Sequence, residues 1–262
     1  MTRWAIAMAI TLTAAGAAPA AVQTKEINYE SDGVKLKGFL AYDDATADKR
    51  PGVLVFPEWW GLNDYAKDRC KQLAGLGYVA FAADLYGEGK VIDTAHPEDA
   101  QKMATALRTN VKAWRGRADA ALKQLVAQPN VDGTKVAAIG YCLGGSTALQ
   151  LAYTGADLKA VATFHAGLMA PTPEEAKAIK ARILVCNGAD DKFIPEKAIA
   201  DFKAALDGAG VKYEFVNFPG AVHSFTVPTA DKVGNPGMKY DKAADEKSWQ
   251  MMRDLFKQTL GK

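Results

Sequence analysis

Cysteine and histidine are scarce in this chain, with three of each in 262 residues. Cysteines at 70, 142 and 186 are too few for a disulfide framework, and their spacing matches no zinc-ligand pattern. Charge of one sign is missing too. The 32 Lys and Arg face 30 Asp and Glu with no long run of either, so nucleic-acid binding is not suggested. With 23 glycines, 11 prolines and 49% hydrophobic residues, collagen-like, low-complexity and disordered classes are excluded. A long apolar run occurs once, at the start. Met1-Thr2-Arg3 is weakly basic, Trp4 to Ala15 is apolar and uncharged, and Ala18-Pro19-Ala20 supplies the small residues of a cleavage site. The run is short of the roughly 20 residues that a membrane span needs. The expectation is a cleaved signal peptide over residues 1–20, no stable membrane anchor, and a secreted or periplasmic protein.

What the chain does have is alternation. Lys25 to Glu30 and Leu36 to Tyr42 flank Ser31-Asp32-Gly33, which predicts two strands around a turn. Gly52 to Phe56 is a continuous apolar run of the kind a strand covered on both faces needs. A helix is predicted over Asn63 to Leu76, with Asn63 as its cap and Tyr65, Ala66, Cys70, Leu73 and Ala74 at helical spacing. Further strands are predicted at Tyr78 to Asp84, Val136 to Gly140, Ala160 to Phe164, Ile183 to Cys186 and Tyr213 to Phe218. Helices are predicted at Ala118 to Ala127, Gly145 to Tyr153, Pro195 to Ala209 and Asp241 to Leu260. This order predicts an α/β fold, a mostly parallel sheet with helices on both faces, with the first two strands as an antiparallel edge. No linker or repeat divides residues 25–262, which read as one domain.

The sharpest local signal is Gly140-Tyr141-Cys142-Leu143-Gly144-Gly145, which follows the apolar run Val136-Ala137-Ala138-Ile139 and opens a helix. Gly-x-nucleophile-x-Gly in that setting is a nucleophile elbow, here with Cys in place of Ser. The helix N-terminus favours a thiolate at Cys142, and the Leu143 N–H is free to stabilise an oxyanion. Ser146 is a second candidate nucleophile, but it sits a turn inside the helix. A base must come from three histidines. His96 precedes Pro97 in a polar stretch, His165 follows a strand, and His223 lies in a loop after the last strand, where a hydrolase of this layout places its base. An orienting acid is expected between nucleophile and base, at Asp190 or Asp191 on the loop after Ile183 to Cys186.

These segments resemble the dienelactone hydrolase (carboxymethylenebutenolidase) family. The resemblance rests on the Cys142 elbow, Asp191-Lys192-Phe193-Ile194-Pro195, and His223-Ser224-Phe225, with Pro57-Glu58-Trp59-Trp60-Gly61-Leu62-Asn63 and Ala83-Asp84-Leu85-Tyr86 in agreement. It runs from about residue 26 to the C-terminus. It implies an α/β-hydrolase fold and a Cys142-Asp191-His223 triad that cleaves esters or lactones through a thioacyl enzyme. The same resemblance selects Asp191 over Asp190, makes Glu58 a carboxylate that helps switch the thiol to thiolate, and gives the Trp59 N–H as second oxyanion donor. Trp60 and Tyr86 are expected in the substrate pocket. A carboxylate between an apolar strand and two tryptophans should also have a raised pKa.

Two family arginines that hold a substrate carboxylate have no counterpart. Gly87-Glu88-Gly89-Lys90 follows Tyr86, and Thr226-Val227-Pro228 follows Phe225. A guanidinium fork is not replaced by a nearby lysine, so neutral esters or lactones are the expected substrates. No metal or organic cofactor is suggested, and the expected partner is a small ester or lactone, with a monomer favoured. Two other classes compete with catalysis: an idle binding protein on the same fold, and a redox-responsive protein pairing Cys142 with Cys70 or Cys186.

Overall fold

The structure is a computed structural model that describes residues 21–45 and 48–262. The expected signal peptide lies outside the described residues. The strands β1 (Val22–Ser31) and β2 (Val34–Asp43) form an antiparallel hairpin. Asp32 and Gly33 both take positive φ, the backbone that a two-residue hairpin turn requires. The chain then alternates through β3 (Arg50–Phe56), α1 (Asp64–Gly75) and β4 (Val79–Ala82). Two helices follow, α2 (Pro97–Thr109) and α3 (Val111–Val126), before β5 (Val131–Tyr141) and α4 (Leu143–Tyr153). The last units are β6 (Ala160–Phe164), α5 (Pro173–Ala178), β7 (Arg182–Gly188), α6 (Glu196–Ala209), β8 (Tyr213–Phe218) and α7 (Lys242–Leu260).

Eight strands form one sheet in the order β1-β2-β4-β3-β5-β6-β7-β8, parallel from β4 to β8 and antiparallel at β1 and β2. The period-2 geometry of a strand divides the core into two layers. On β3, Val53 and Val55 face one layer with Cys70 and Leu73 of α1 and Met252 and Phe256 of α7. Leu54 and Phe56 face the other, with Trp114 of α3 and Leu149 of α4. All four β3 side chains are fully buried, each stabilising the fold by about 1.5–3 kcal/mol relative to exposure. Among the described residues, no helix is long and apolar enough to cross a membrane.

The α/β reading is correct, but α2 and α5 were not expected and α3 starts earlier than its expected bound. A helix the pattern had not suggested, α2, starts at Pro97 with Glu98 and Asp99 in its first turn and buries only Ala100, Ala104 and Leu107. Alanines make a faint apolar stripe, which is why the segment reads as polar. α3 begins seven residues before the predicted Ala118, capped by Asn110, whose side chain accepts the Ala113 N–H. Thr172 and Glu175 form a capping box that starts the short α5.

The order of strands decides where a ligand can bind. From β3 the chain moves outward to β4, then returns past β3 to β5, so connections leave these neighbours in opposite directions. A crevice opens at the carboxyl ends of strands at such a switch point. Glu58 follows β3 and Cys142 follows β5.

Candidate active site

Cys142 sits in the turn between β5 and α4 at φ 51° and ψ −116°, a backbone conformation that costs an L-residue of order 1–3 kcal/mol. The surroundings enforce it. The Cys142 N–H donates to the Phe164 carbonyl at 3.0 Å, and its own carbonyl accepts from Gly145 and Ser146 at 3.0 and 3.2 Å. The flanking glycines allow the turn: a Cβ on Gly140 would strike the Gly144 carbonyl, and one on Gly144 would strike that of Phe56. The first N–H groups of α4 have no acceptor within the helix, so the Leu143 N–H is available beside the sulfur.

His223 Nδ1 lies 2.7 Å from Asp191 Oδ2, and both residues are buried. Asp191 follows β7, and its other oxygen accepts the Phe193 N–H at 2.9 Å, which fixes the carboxylate. A carboxylate only accepts, so Nδ1 carries the proton and the opposite ring nitrogen faces Cys142. Burial pushes the His223 imidazolium down. The charge of Cys142 and hydrogen bonds to Asp191 and Cys142 outweigh burial and lift it to about 10. The structure therefore brings Cys142, His223 and Asp191 together. Asp190 is exposed, and its N–H donates to the Ala221 carbonyl at 3.0 Å.

Glu58 is 3% exposed and accepts a hydrogen bond from Ser224 Oγ at 2.8 Å. Burial raises its pKa, while the Ser224 bond and the His223 charge work in the opposite direction. Trp59, next in the chain, presents its ring to the cavity. That cavity, about 320 Å³, is lined by Trp59, Cys142, Phe193, His223, Met238 and the polar Arg108, among others. None of its lining residues is acidic.

Of the remaining candidates, Trp60 and Tyr86 are corrected. Trp60 does not line the cavity: it is 3% exposed in the core and packs edge-on against Trp59 at 5.0 Å. Tyr86 does not line it either. Its hydroxyl donates to the Trp59 carbonyl at 2.8 Å, so Tyr86 holds the loop behind the cavity wall. Ser146 is committed to the Gly167 carbonyl at 2.6 Å. Cys70 and Cys186 are buried in the layer shared with α1 and α7, and burial pushes both thiols up. His96 is exposed at the start of α2.

The expectation of a pocket without a guanidinium is also overturned. Arg108 reaches it from α2, the helix that the apolar pattern concealed, with Gln101 two turns earlier on the same face. The signals that could have exposed α2 are Pro97 at its first position, the acids that follow, and Ala100, Ala104 and Leu107 at helical spacing.

Comparison with known proteins identifies the lineage. The dienelactone hydrolase family model matches residues 36–260. The chain belongs to this family. It is a hydrolase with the α/β-hydrolase fold. Protein usf of Aquifex pyrophilus is 29% identical over 241 residues, covering 89% of this chain and 98% of the relative. A solved structure titled m3DLH is 44% identical, with TM-score 0.89 over 92% of this chain and 99% of that one. The dienelactone hydrolase-like promiscuous phosphotriesterase P91, from metagenomic libraries, is 40% identical, with TM-score 0.88 over 91% and 99%.

Proposed function

We propose that this hydrolase cleaves carboxylic esters or lactones with Cys142 as nucleophile, His223 as proton carrier and Asp191 as its orienting acid. The observation that carries the reading is His223, which holds Asp191 on one nitrogen and faces Cys142 with the other, in a cavity lined also by Trp59, Phe193, Met238 and Arg108. The Cys142 thiolate adds to the substrate carbonyl carbon, and the N–H groups of Leu143 and Trp59 hold the resulting oxyanion. The C–O bond to the alcohol breaks, His223 gives its proton to the departing alkoxide, and a thioester remains. Neutral His223 then takes a proton from water as the hydroxide adds to the thioester. The C–S bond breaks, the acid leaves, and the thiolate–imidazolium pair returns. Burial disfavours the charged form of Glu58, which opposes a second negative charge beside the thiolate.

Arg108 supports a preference for substrates that carry an anionic group beyond the scissile bond, since it is a cation facing a cavity with no acid in its lining. A neutral phosphotriester belongs in the same panel because P91 is named for that activity. Residues 1–20 support export, so the mature protein should begin at Ala21. Mass measurement of the protein recovered from the periplasm of a bacterial host checks this, and an intact Met1 there would oppose it. For the nucleophile, Cys142→Ala should abolish turnover of p-nitrophenyl butyrate with the fold intact. Wild-type turnover in that variant would remove the assignment.

A further inference from the structure

His165 is fully buried at the end of β6, at φ 42°, and the reaction described above makes no use of it. Its Nε2 lies 2.9 Å from Thr226 Oγ1, and Thr226 Oγ1 lies 2.7 Å from the Tyr65 hydroxyl. Arg69 Nε donates to that hydroxyl at 3.2 Å. The direction of this chain follows from proton counting. Arginine only donates, so the Tyr65 hydroxyl accepts a hydrogen bond from Arg69 and donates its own to Thr226. The Thr226 hydroxyl then has its own proton left to give, and donating it to His165 Nε2 places the ring proton on Nδ1, whereas a Thr226 that accepted from both sides would leave that proton without an acceptor. The reverse direction would leave the Tyr65 proton with no acceptor. Arg69 is anchored by an ion pair to Asp245, so the chain has a fixed source.

The Nδ1–H so defined meets no side-chain partner at hydrogen-bond geometry, and only the backbone of His165 itself gives it weak support. It lies 3.9 Å from Glu58 Oε1, which is just beyond bonding distance. A poorly paired buried donor next to a buried carboxyl is costly unless the carboxyl ionises and closes the gap. The titratable or charged groups around the ring are Glu58, His223 with ring centroids 5.1 Å apart, Tyr141 at 6.1 Å, and Arg69 and Tyr65 behind Thr226. Burial first, and then the His223 charge, hold His165 well below the usual histidine range, so it stays neutral with one proton.

We propose that His165 is a positioning residue for Glu58: its Nδ1–H, fixed by the Arg69–Tyr65–Thr226 chain, is the donor reserved for the ionised carboxylate. Glu58 then has two donors at Oε1, Ser224 Oγ–H and His165 Nδ1–H, and its proton exchanges with solvent at a lower pH than burial alone would set. This inference rests on Glu58 ionising within the working pH range.

The two amide variants of His165 separate its two nitrogens. His165→Asn places an N–H near the Nδ1 position and gives up Thr226, whereas His165→Gln reaches Thr226 and gives up the donor toward Glu58. The readout is the Glu58 ionisation, seen as a carboxylic acid band in pH-difference infrared spectra and as a limb in the kcat/KM profile for p-nitrophenyl butyrate. Both signals should be absent in Glu58→Gln. His165→Gln should move that ionisation up by about one pH unit, the effect of losing one donor to a carboxylate. His165→Asn should leave it close to wild type. Thr226→Val, which frees the ring to swap its proton to Nε2, should shift it in the same direction as His165→Gln even if the latter fails to fold.

If Glu58→Gln removes the limb but neither His165→Gln nor Thr226→Val moves it, the proposal falls and the Glu58 assignment stands. If Glu58→Gln leaves both signals in place, both fall together. A shift from His165→Gln that persists in the Glu58→Gln background would place the effect on His223 directly and would also overturn the proposal.

Discussion

Glu58 and Ser224, 166 residues apart, meet through a 2.8 Å hydrogen bond that ties the loop after β3 to the loop after β8. Ser224 immediately follows His223 and takes positive φ (54°). The backbone strain that turns Ser224 inward therefore sits next to the residue that must face Cys142. Glu58 and Asp191 thus hold the His223 loop from two sides, one by its backbone neighbour and one by its ring. A nucleophile on a rigid elbow needs its base held as firmly, because misplacement of about 1 Å can cost a hundredfold in rate.

The acid on the His223 ring is the first test of that arrangement. Asp191→Asn leaves an amide that can turn its N–H toward Nδ1 and favour the wrong tautomer. The expected loss in kcat is about a thousandfold to ten-thousandfold. Asp190→Asn changes an exposed side chain that does not touch His223, and its kcat should stay within about twofold of wild type. Steady-state kinetics on one neutral ester compares the two, and the opposite ranking would exchange their roles.

A pH dependence follows from His223. Its folded-state pKa of about 10 exceeds the ordinary 6.5, so its contribution to stability is fully present below about pH 6.5 and is lost as pH rises through about 10. Turnover should fail over the same alkaline range, because the leaving alkoxide then finds no proton on the ring. Imidazole NMR titration should place His223 well above 6.5 in the wild type and lower in Cys142→Ala, which removes the sulfur's charge. An unchanged titration in the variant would show that Asp191 alone sets the value.

That Cys142, Asp191 and His223 come together in space was legible in the sequence because each lies in a short pattern tied to one strand end. The elbow is written in Gly140 and Gly144, and the loop after β7 in Asp191 to Pro195. What the sequence hid depends on packing between distant segments. Trp59 and Trp60 are neighbours with the same chemistry, and the turn in which the Gly61 N–H bonds to the Glu58 carbonyl at 3.1 Å decides which ring faces the cavity. Arg108 rides on a helix whose buried face is two alanines and one leucine, so the apolar spacing was too faint to stand out and no family motif covers it. His165 gains its proton placement from Thr226, 61 residues away.

Gly144→Ala tests how tightly the elbow is built. The added Cβ would meet the backbone carbonyls of Phe56 and Pro57, which belong to the central strand and its exit and cannot swing aside. Overpacking of this kind is expected to destabilise by about 1–3 kcal/mol. It should also displace Cys142 from its base, so thermal unfolding and reactivity toward iodoacetamide should both fall. A variant with unchanged Tm and labelling rate would mean that the turn is more compliant than these contacts indicate.

Arg108 sets the last test, on substrate charge. A carboxylate or phosphoryl group in the cavity would find a half-buried guanidinium and no competing acid in the lining. A charge-assisted hydrogen bond contributes about 1.5–3 kcal/mol, which corresponds to about a tenfold to hundredfold change in affinity. Neutral esters draw only on the apolar walls, Trp59, Phe193 and Met238, and should be indifferent to the charge. In a matched pair of activated esters that differ by one remote carboxylate, the wild type should favour the anionic member in kcat/KM. Arg108→Gln should lower kcat/KM for that member by about tenfold or more, chiefly through KM, and leave the neutral ester within about twofold. Arg108→Lys should recover only part of the loss, because an ammonium keeps the charge without the planar fork. Equal losses on both esters would instead make Arg108 a packing residue of α2 and return the preference to neutral substrates.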